Sequence, residues 1–95
     1  MPSENITIES IICWSAQQVN AEVDGDVVLM SLEQGKYYGL DGIPSDIWRR
    51  VEQSVQVRDL VEQLVASYTA PRVTIERDVL RFLEKLRQEK LIDVS

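Results

Sequence analysis

The sequence predicts a small α+β domain of order βββααα, a three-stranded antiparallel sheet followed by three helices. Three observations predict it. Asp24-Gly25 separates two β-branched runs in "VNAEVDGDVVLMSL", and a third short run, Lys36–Leu40, follows the turn signal "EQG". From Asp41 onward, apolar residues recur at helical spacing instead of alternating.

Residues 1–15 alternate apolar and polar in "ITIESIICW", the pattern of an added strand or an N-terminal arm. The hairpin follows. An Asp-Gly pair between such runs favours a type I′ turn, which needs positive φ at both central residues. With that turn, Val23 faces Asp26, Ala21 faces Val28 and Val19 faces Met30. The face carrying Val19, Ala21, Val28 and Met30 is wholly apolar and is expected to face the core. The opposite face, with Asn20, Glu22, Val27 and Leu29, is half apolar. "EQG" is expected to close a second tight turn, with Gly35 left-handed. If Leu32 pairs with Lys36, Tyr38 lies beside Met30 and Leu40 beside Val28, both inward, while Tyr37 and Gly39 face outward. Lys36–Leu40 is then an edge strand, with no fourth strand in sight beside it.

Asp41 is the expected N-cap of the first helix, with Ser45 as an alternative start. Pro44 is tolerated in a first turn, where its missing N–H does no harm. Ile43, Ile47, Trp48 and Val51 share one face of that helix. A second helix over 57–68 buries Leu60, Val61, Leu64 and Val65, and "TAPR" ends it. Thr74 caps a third, over 75–89, with Ile75, Val79, Phe82, Leu83 and Leu86 on one face. The tail "LIDVS" packs Leu91 and Ile92 onto the domain.

The composition excludes several functions. Ninety-five residues make one domain, and 44% hydrophobic with 27% charged residues is ordinary for a globular chain. There is no histidine, so the commonest general base and metal ligand is missing. The single cysteine, Cys13, has no disulfide partner within the chain and reads as a small hydrophobe. No glycine-rich phosphate loop occurs. No catalytic residue, metal ligand or cofactor site is therefore expected. The longest apolar run is a few residues, against the roughly 20 of a membrane span. The N-terminus lacks a basic region ahead of its apolar residues, so a cytoplasmic protein without membrane partners is expected. A net charge of −6 argues against nucleic acid, whose phosphates call for Lys and Arg.

The stretches "VVLMSLEQGKYYGLDGIPSDIW", "VRDLVEQLVASY" and "VLRFLEKLRQEKLIDV" resemble the PqqD family, the recognition elements that bind leader segments of ribosomally made peptide natural products. The resemblance runs from Gln18 to Val94, and "GKYYGLD" followed by Ile47-Trp48 is its most specific part. It is closest to the stand-alone proteins of lasso-peptide biosynthesis. Pro44-Ser45 departs from the small residue or glycine usual before Ile-Trp. The resemblance implies a winged helix-turn-helix-like domain over 16–95, distinct from 1–15. It implies a non-enzymatic adaptor that captures a precursor's leader by strand addition to the edge strand 36–40, beside the third helix. The partners implied are the precursor, a leader peptidase of papain- or transglutaminase-like type, and the cyclase.

The expected peptide site comprises Leu32, Lys36, Tyr37, Tyr38 and Gly39 on and before the edge strand, with Asp78, Val79, Arg81, Phe82 and Lys85 on the third helix. Several of these have plainer readings. Tyr38 suits the core, Lys36 can guard an edge against aggregation, and Val79 and Phe82 can be core packing. Arg77, Arg81 and Lys85 repeat at i,i+4, a mildly repulsive stripe suited to an acidic partner group. Trp14, Val27 and Leu29 form a candidate surface for a partner enzyme, with Trp14 alternatively covering Val27 and Leu29. An open edge can also pair two copies into a homodimer. The alternative from another class is a winged-helix DNA-binding regulator, favoured by the βββααα economy and the basic stripe.

Overall fold

The computed structural model describes residues 6–95; the first part of the expected arm, residues 1–5, lies outside them. Among the described residues, six strands and three helices follow in the order β1 (Ile11–Trp14), β2 (Gln18–Val23), β3 (Asp26–Ser31), β4 (Tyr37–Leu40), α1 (Gly42–Arg50), β5 (Val55–Gln56), α2 (Val57–Ser67), α3 (Arg72–Gln88) and β6 (Ile92–Val94). The expected α+β order of three strands and three helices is present. Three short strands, β1, β5 and β6, are added to it. They form an antiparallel sheet of order β5-β1-β6, separate from the sheet β2-β3-β4.

The β2–β3 hairpin turns where the Asp-Gly chemistry requires. Asp24 and Gly25 have φ of 55° and 86°, and the register pairs Val23 with Asp26, Ala21 with Val28 and Val19 with Met30. The inward face, however, is the opposite of the expected one. Val27 and Leu29 are fully buried, whereas Val19 and Val28 are exposed. The reason is tertiary. Helix α1 packs on β3 from the Val27/Leu29 side. The polar half of that face lies on peripheral β2, where it finds partners: Arg49 Nε donates to Glu22 at 2.9 Å, and Asn20 Nδ2 donates to Gln18 at 3.0 Å.

The second turn is also longer than expected. Leu32 does not pair with Lys36. Instead the Ser31 N–H donates to the Lys36 carbonyl (3.0 Å) and the Leu32 N–H to the Gln17 carbonyl (2.9 Å). The Gly35 N–H returns to the Ser31 carbonyl at 2.7 Å, with Gly35 at φ 68° as its sequence suggests. Tyr38 therefore pairs with Leu29 and Leu40 with Val27, one position from the expected register. Paired residues share a sheet face, so the slip and the face inversion cancel. Tyr38 and Leu40 still point inward, and Tyr37 still points out, 72% exposed.

Asp41 occupies the N-cap position of α1, although its side chain makes no capping bond. Ile47, Trp48 and Val51 are buried as expected, but Ile43 is 48% exposed. Helix α2 buries Val57, Leu60, Val61 and Leu64. Helix α3 begins at Arg72, not at Ile75: Pro71 is the N-cap, its carbonyl accepting from Thr74 and Ile75, so Thr74 lies inside the first turn. Its end is a Schellman motif. The Lys90 N–H donates to the Arg87 carbonyl and the Leu91 N–H to the Leu86 carbonyl, with Lys90 at φ 63°. The reversal drops Leu91 into the core and feeds β6, whose Ile92 pairs with Trp14 of β1.

Trp14 thus belongs to the second sheet. Its ring stacks on Trp48 at 4.9 Å between centroids, and its indole N–H donates to the Trp48 carbonyl at 2.8 Å. With Val27 and Leu29 buried and Trp14 half-buried against Trp48, the three do not form the outer partner surface expected of them. Among the described residues no helix is long and apolar enough to cross a membrane, and no cluster of side chains is placed to hold a metal ion.

Candidate peptide-binding site

Among the described residues, strand β4 is the outer strand of its sheet, paired with β3 on one side only. Antiparallel ladders alternate between residues that exchange backbone bonds and residues that do not. Because Ser31 N–H bonds to Lys36, the same parity turns the backbone groups of Tyr38 and Leu40 toward β3. The N–H and C=O of Tyr37 and Gly39 are then directed to the open edge. Space is clear around Gly39: among the described residues, its chain neighbours aside, no atom lies within 4 Å of where a Cβ would stand.

The open edge faces helix α3 across a cleft of about 630 Å³. One wall is Tyr37, Tyr38, Gly39 and Leu40; the other is Phe82, Lys85 and Glu89, with Leu86 and Leu91 below and Asp41 and Pro44 at the α1 end. The walls are tied where the Tyr38 hydroxyl donates to the Glu89 carboxylate. Glu89 is the C-cap of α3, so the Schellman turn that ends the helix also sets this tie. A second, apolar cavity of about 210 Å³ shares Pro44 and Phe82 with the cleft and runs between α1, α2 and α3 past Ile43, Tyr68, Ile75 and Val79.

Beside that cavity a polar clamp joins α1 to the end of α2. Tyr68 at the end of α2 donates to Asp46 of α1 at 2.6 Å, and Arg50 donates to the same carboxylate at 2.9 Å. Burial pushes the Asp46 carboxyl up, but the bonds from Arg50 and Tyr68 outweigh it and hold it below its ordinary value. The carboxylate in turn raises the Tyr68 phenol.

The expected site residues divide into three groups. Tyr37, Tyr38, Gly39, Phe82 and Lys85 line the cleft together. Asp78 and Val79 line the adjoining cavity, and Val79 is only 2% exposed, mostly core. Leu32, Lys36 and Arg81 are exposed and line neither. The basic stripe is also thinned, since Arg77 pairs with Asp78 at 3.4 Å. Sequence reasoning missed Leu40, Asp41, Pro44, Leu86, Glu89 and Leu91. Glu89 was within reach, standing four and seven positions after Lys85 and Phe82 on one helix face.

The hydrogen bond to Glu89, with burial and the carboxylate's charge behind it, pushes the Tyr38 phenol up to about 12. The neutral phenol is thus favoured in the folded state. Its stabilising contribution is fully present below pH 10 and is lost as pH rises toward 12. A spectrophotometric titration at 295 nm is expected to show a phenolate component near pH 12 that disappears in Tyr38→Phe. If the component lost in that variant instead titrates near pH 10, the ordinary phenol value, the tie is absent.

Residues 26–92 match the family model described as "Coenzyme PQQ synthesis protein D (PqqD)". A solved structure described as "TbiB1 in Complex with the TbiA(beta) Leader Peptide" is 36% identical, with a TM-score of 0.79; the match covers 85% of this chain and 94% of that one. A second, "Lasso peptide synthetase B1 complexed with the leader peptide", shares the fold at 21% identity, a TM-score of 0.76 and coverage of 86% and 96%. No curated protein matches the chain significantly.

Proposed function

The chain belongs to the PqqD family, and we propose that it is a non-enzymatic adaptor that binds the leader segment of a ribosomally made precursor peptide of the lasso type. The observation that carries this reading is the unpaired edge of β4 opposite α3. A leader strand laid on β4 takes main-chain hydrogen bonds from Tyr37 and Gly39, which serve many sequences alike. Its side chains that turn inward enter the cleft against Phe82, Leu86 and Leu91, where apolar fit supplies selectivity. Lys85 and Glu89 at the mouth offer one partner for each sign of charge. The bound precursor then passes to a leader peptidase of papain- or transglutaminase-like type and to a cyclase.

The regulator reading finds no support in the geometry. The tip of the hairpin, the part a winged helix lays on DNA, carries Asp24 and Asp26. Isothermal titration with the leader peptide of the cognate lasso-type precursor tests the proposal. Binding in the micromolar range or tighter is expected, about −8 kcal/mol. No heat at about 100 μM peptide, a limit of roughly −5.5 kcal/mol, would sink it.

A further inference from the structure

The two walls of the cleft come from distant parts of the chain, and one residue outside the cleft joins their supports. Strand β4 runs through Asp41 directly into α1, so the Tyr38 wall is carried by that helix. The facing wall ends in the Schellman turn, which places Glu89 and Leu91. Trp14 of β1 holds both. Its backbone N–H donates to the Val51 carbonyl at 3.1 Å and its indole N–H to the Trp48 carbonyl at 2.8 Å. Both carbonyls lie at the C-terminal end of α1, where acceptors outnumber helical donors. On its other side Trp14 pairs with Ile92 of β6, and the next N–H, that of Ser15, donates to the Leu91 carbonyl at 3.0 Å. The Trp14 ring is stacked on buried Trp48, and packing this dense passes displacement on instead of absorbing it.

We propose that Trp14 is a positioning residue for the cleft: by tying the end of α1 to the α3–β6 turn, it fixes how far β4 and α3 stand apart. Trp14 itself does not line the cleft. Its role rests on the adaptor reading above and concerns the width of the same site. The family match spans residues 26–92, so β1 lies ahead of it. The tie between Tyr38 and Glu89 closes the same ring of contacts from inside the cleft. Such coupling is reciprocal: whatever loosens β1 weakens binding, and a strand held in the cleft holds β1 more firmly.

The test compares Trp14→Leu with Val61→Ala, a change at a buried α2 residue that lines neither cavity. Both variants lose core packing, so a merely structural role for Trp14 would give the two the same behaviour. At temperatures where both are folded, Trp14→Leu is expected to bind the cognate leader about tenfold more weakly, and Val61→Ala within about twofold of the parent. Amide exchange supplies a reading without ligand. The Lys90 and Leu91 N–H groups of the Schellman turn are expected to exchange about tenfold faster in Trp14→Leu and within about twofold of the parent rate in Val61→Ala. Trp14→Phe keeps a stacked ring, chiefly loses the indole bond and guards against misfolding; it is expected to lie roughly threefold from the parent in both measurements. Parent-level affinity and exchange in whichever Trp14 variant folds would overturn the proposal, and so would equal losses in Val61→Ala. A parent that binds no leader overturns the adaptor reading instead, and the exchange pattern then decides the positioning alone.

Discussion

Gly39→Pro is expected to leave the fold intact and to weaken leader binding roughly tenfold to a hundredfold. The fold survives for local reasons. The Gly39 N–H points away from β3, an edge strand tolerates proline, and Tyr38 before it is already extended, as a residue preceding proline prefers. Apart from its chain neighbours, no described residue stands within 4 Å of a new Cβ. Thermal unfolding should shift by no more than about 4 °C, equivalent to under roughly 1 kcal/mol. The peptide, by contrast, loses one main-chain bond, about 0.5–1.5 kcal/mol net, and its orphaned carbonyl costs about 1–3 kcal/mol more if left dry. Titration calorimetry on the variant decides the matter. Unchanged affinity in a folded variant would mean that the peptide does not add to β4.

The second large effect separates two adjacent valines. Val27→Asp is expected to destabilise the domain by more than about 4 kcal/mol, enough to threaten folding in a chain of this size, which holds roughly 5–14 kcal/mol in all. Val27 is 1% exposed, so the change forfeits apolar burial of about 1.5–3 kcal/mol and places an unpaired carboxyl in the core. Val28→Asp, one residue on but facing solvent, should cost no more than about 1 kcal/mol, mainly in β-propensity. Urea denaturation of the pair reads the face directly. A tolerated Val27→Asp beside a ruinous Val28→Asp would restore the orientation that the apolar pattern first suggested.

Local chemistry in the sequence determined much of this protein. Asp24-Gly25 places the hairpin turn because few other pairs accept positive φ twice over, and the pairings of β2 with β3 follow by counting. The three helices follow from apolar spacing and from the breaks at Asp41 and "TAPR". The stretch "GKYYGLD" with Ile47-Trp48 pointed to the family. Half of the cleft, Tyr37 to Gly39 with Phe82 and Lys85, was legible because an edge strand and a helix stripe are each written in consecutive residues.

What only the tertiary structure decided depends on contacts between distant residues. Both faces of the hairpin carry branched apolar side chains, so the pattern could not say which would meet α1; burial of Val27 and Leu29 settles it. The β3–β4 register turned on one residue, set by Ser31 bonding to Lys36 across a longer loop. The strands β1, β5 and β6 are two to four residues long, and β1 finds β6 at the far end of the chain. No local period encodes such a pairing. Glu89 enters the site for the same reason: a charged residue at a helix end becomes a wall of the cleft only because the Schellman turn brings it to Tyr38.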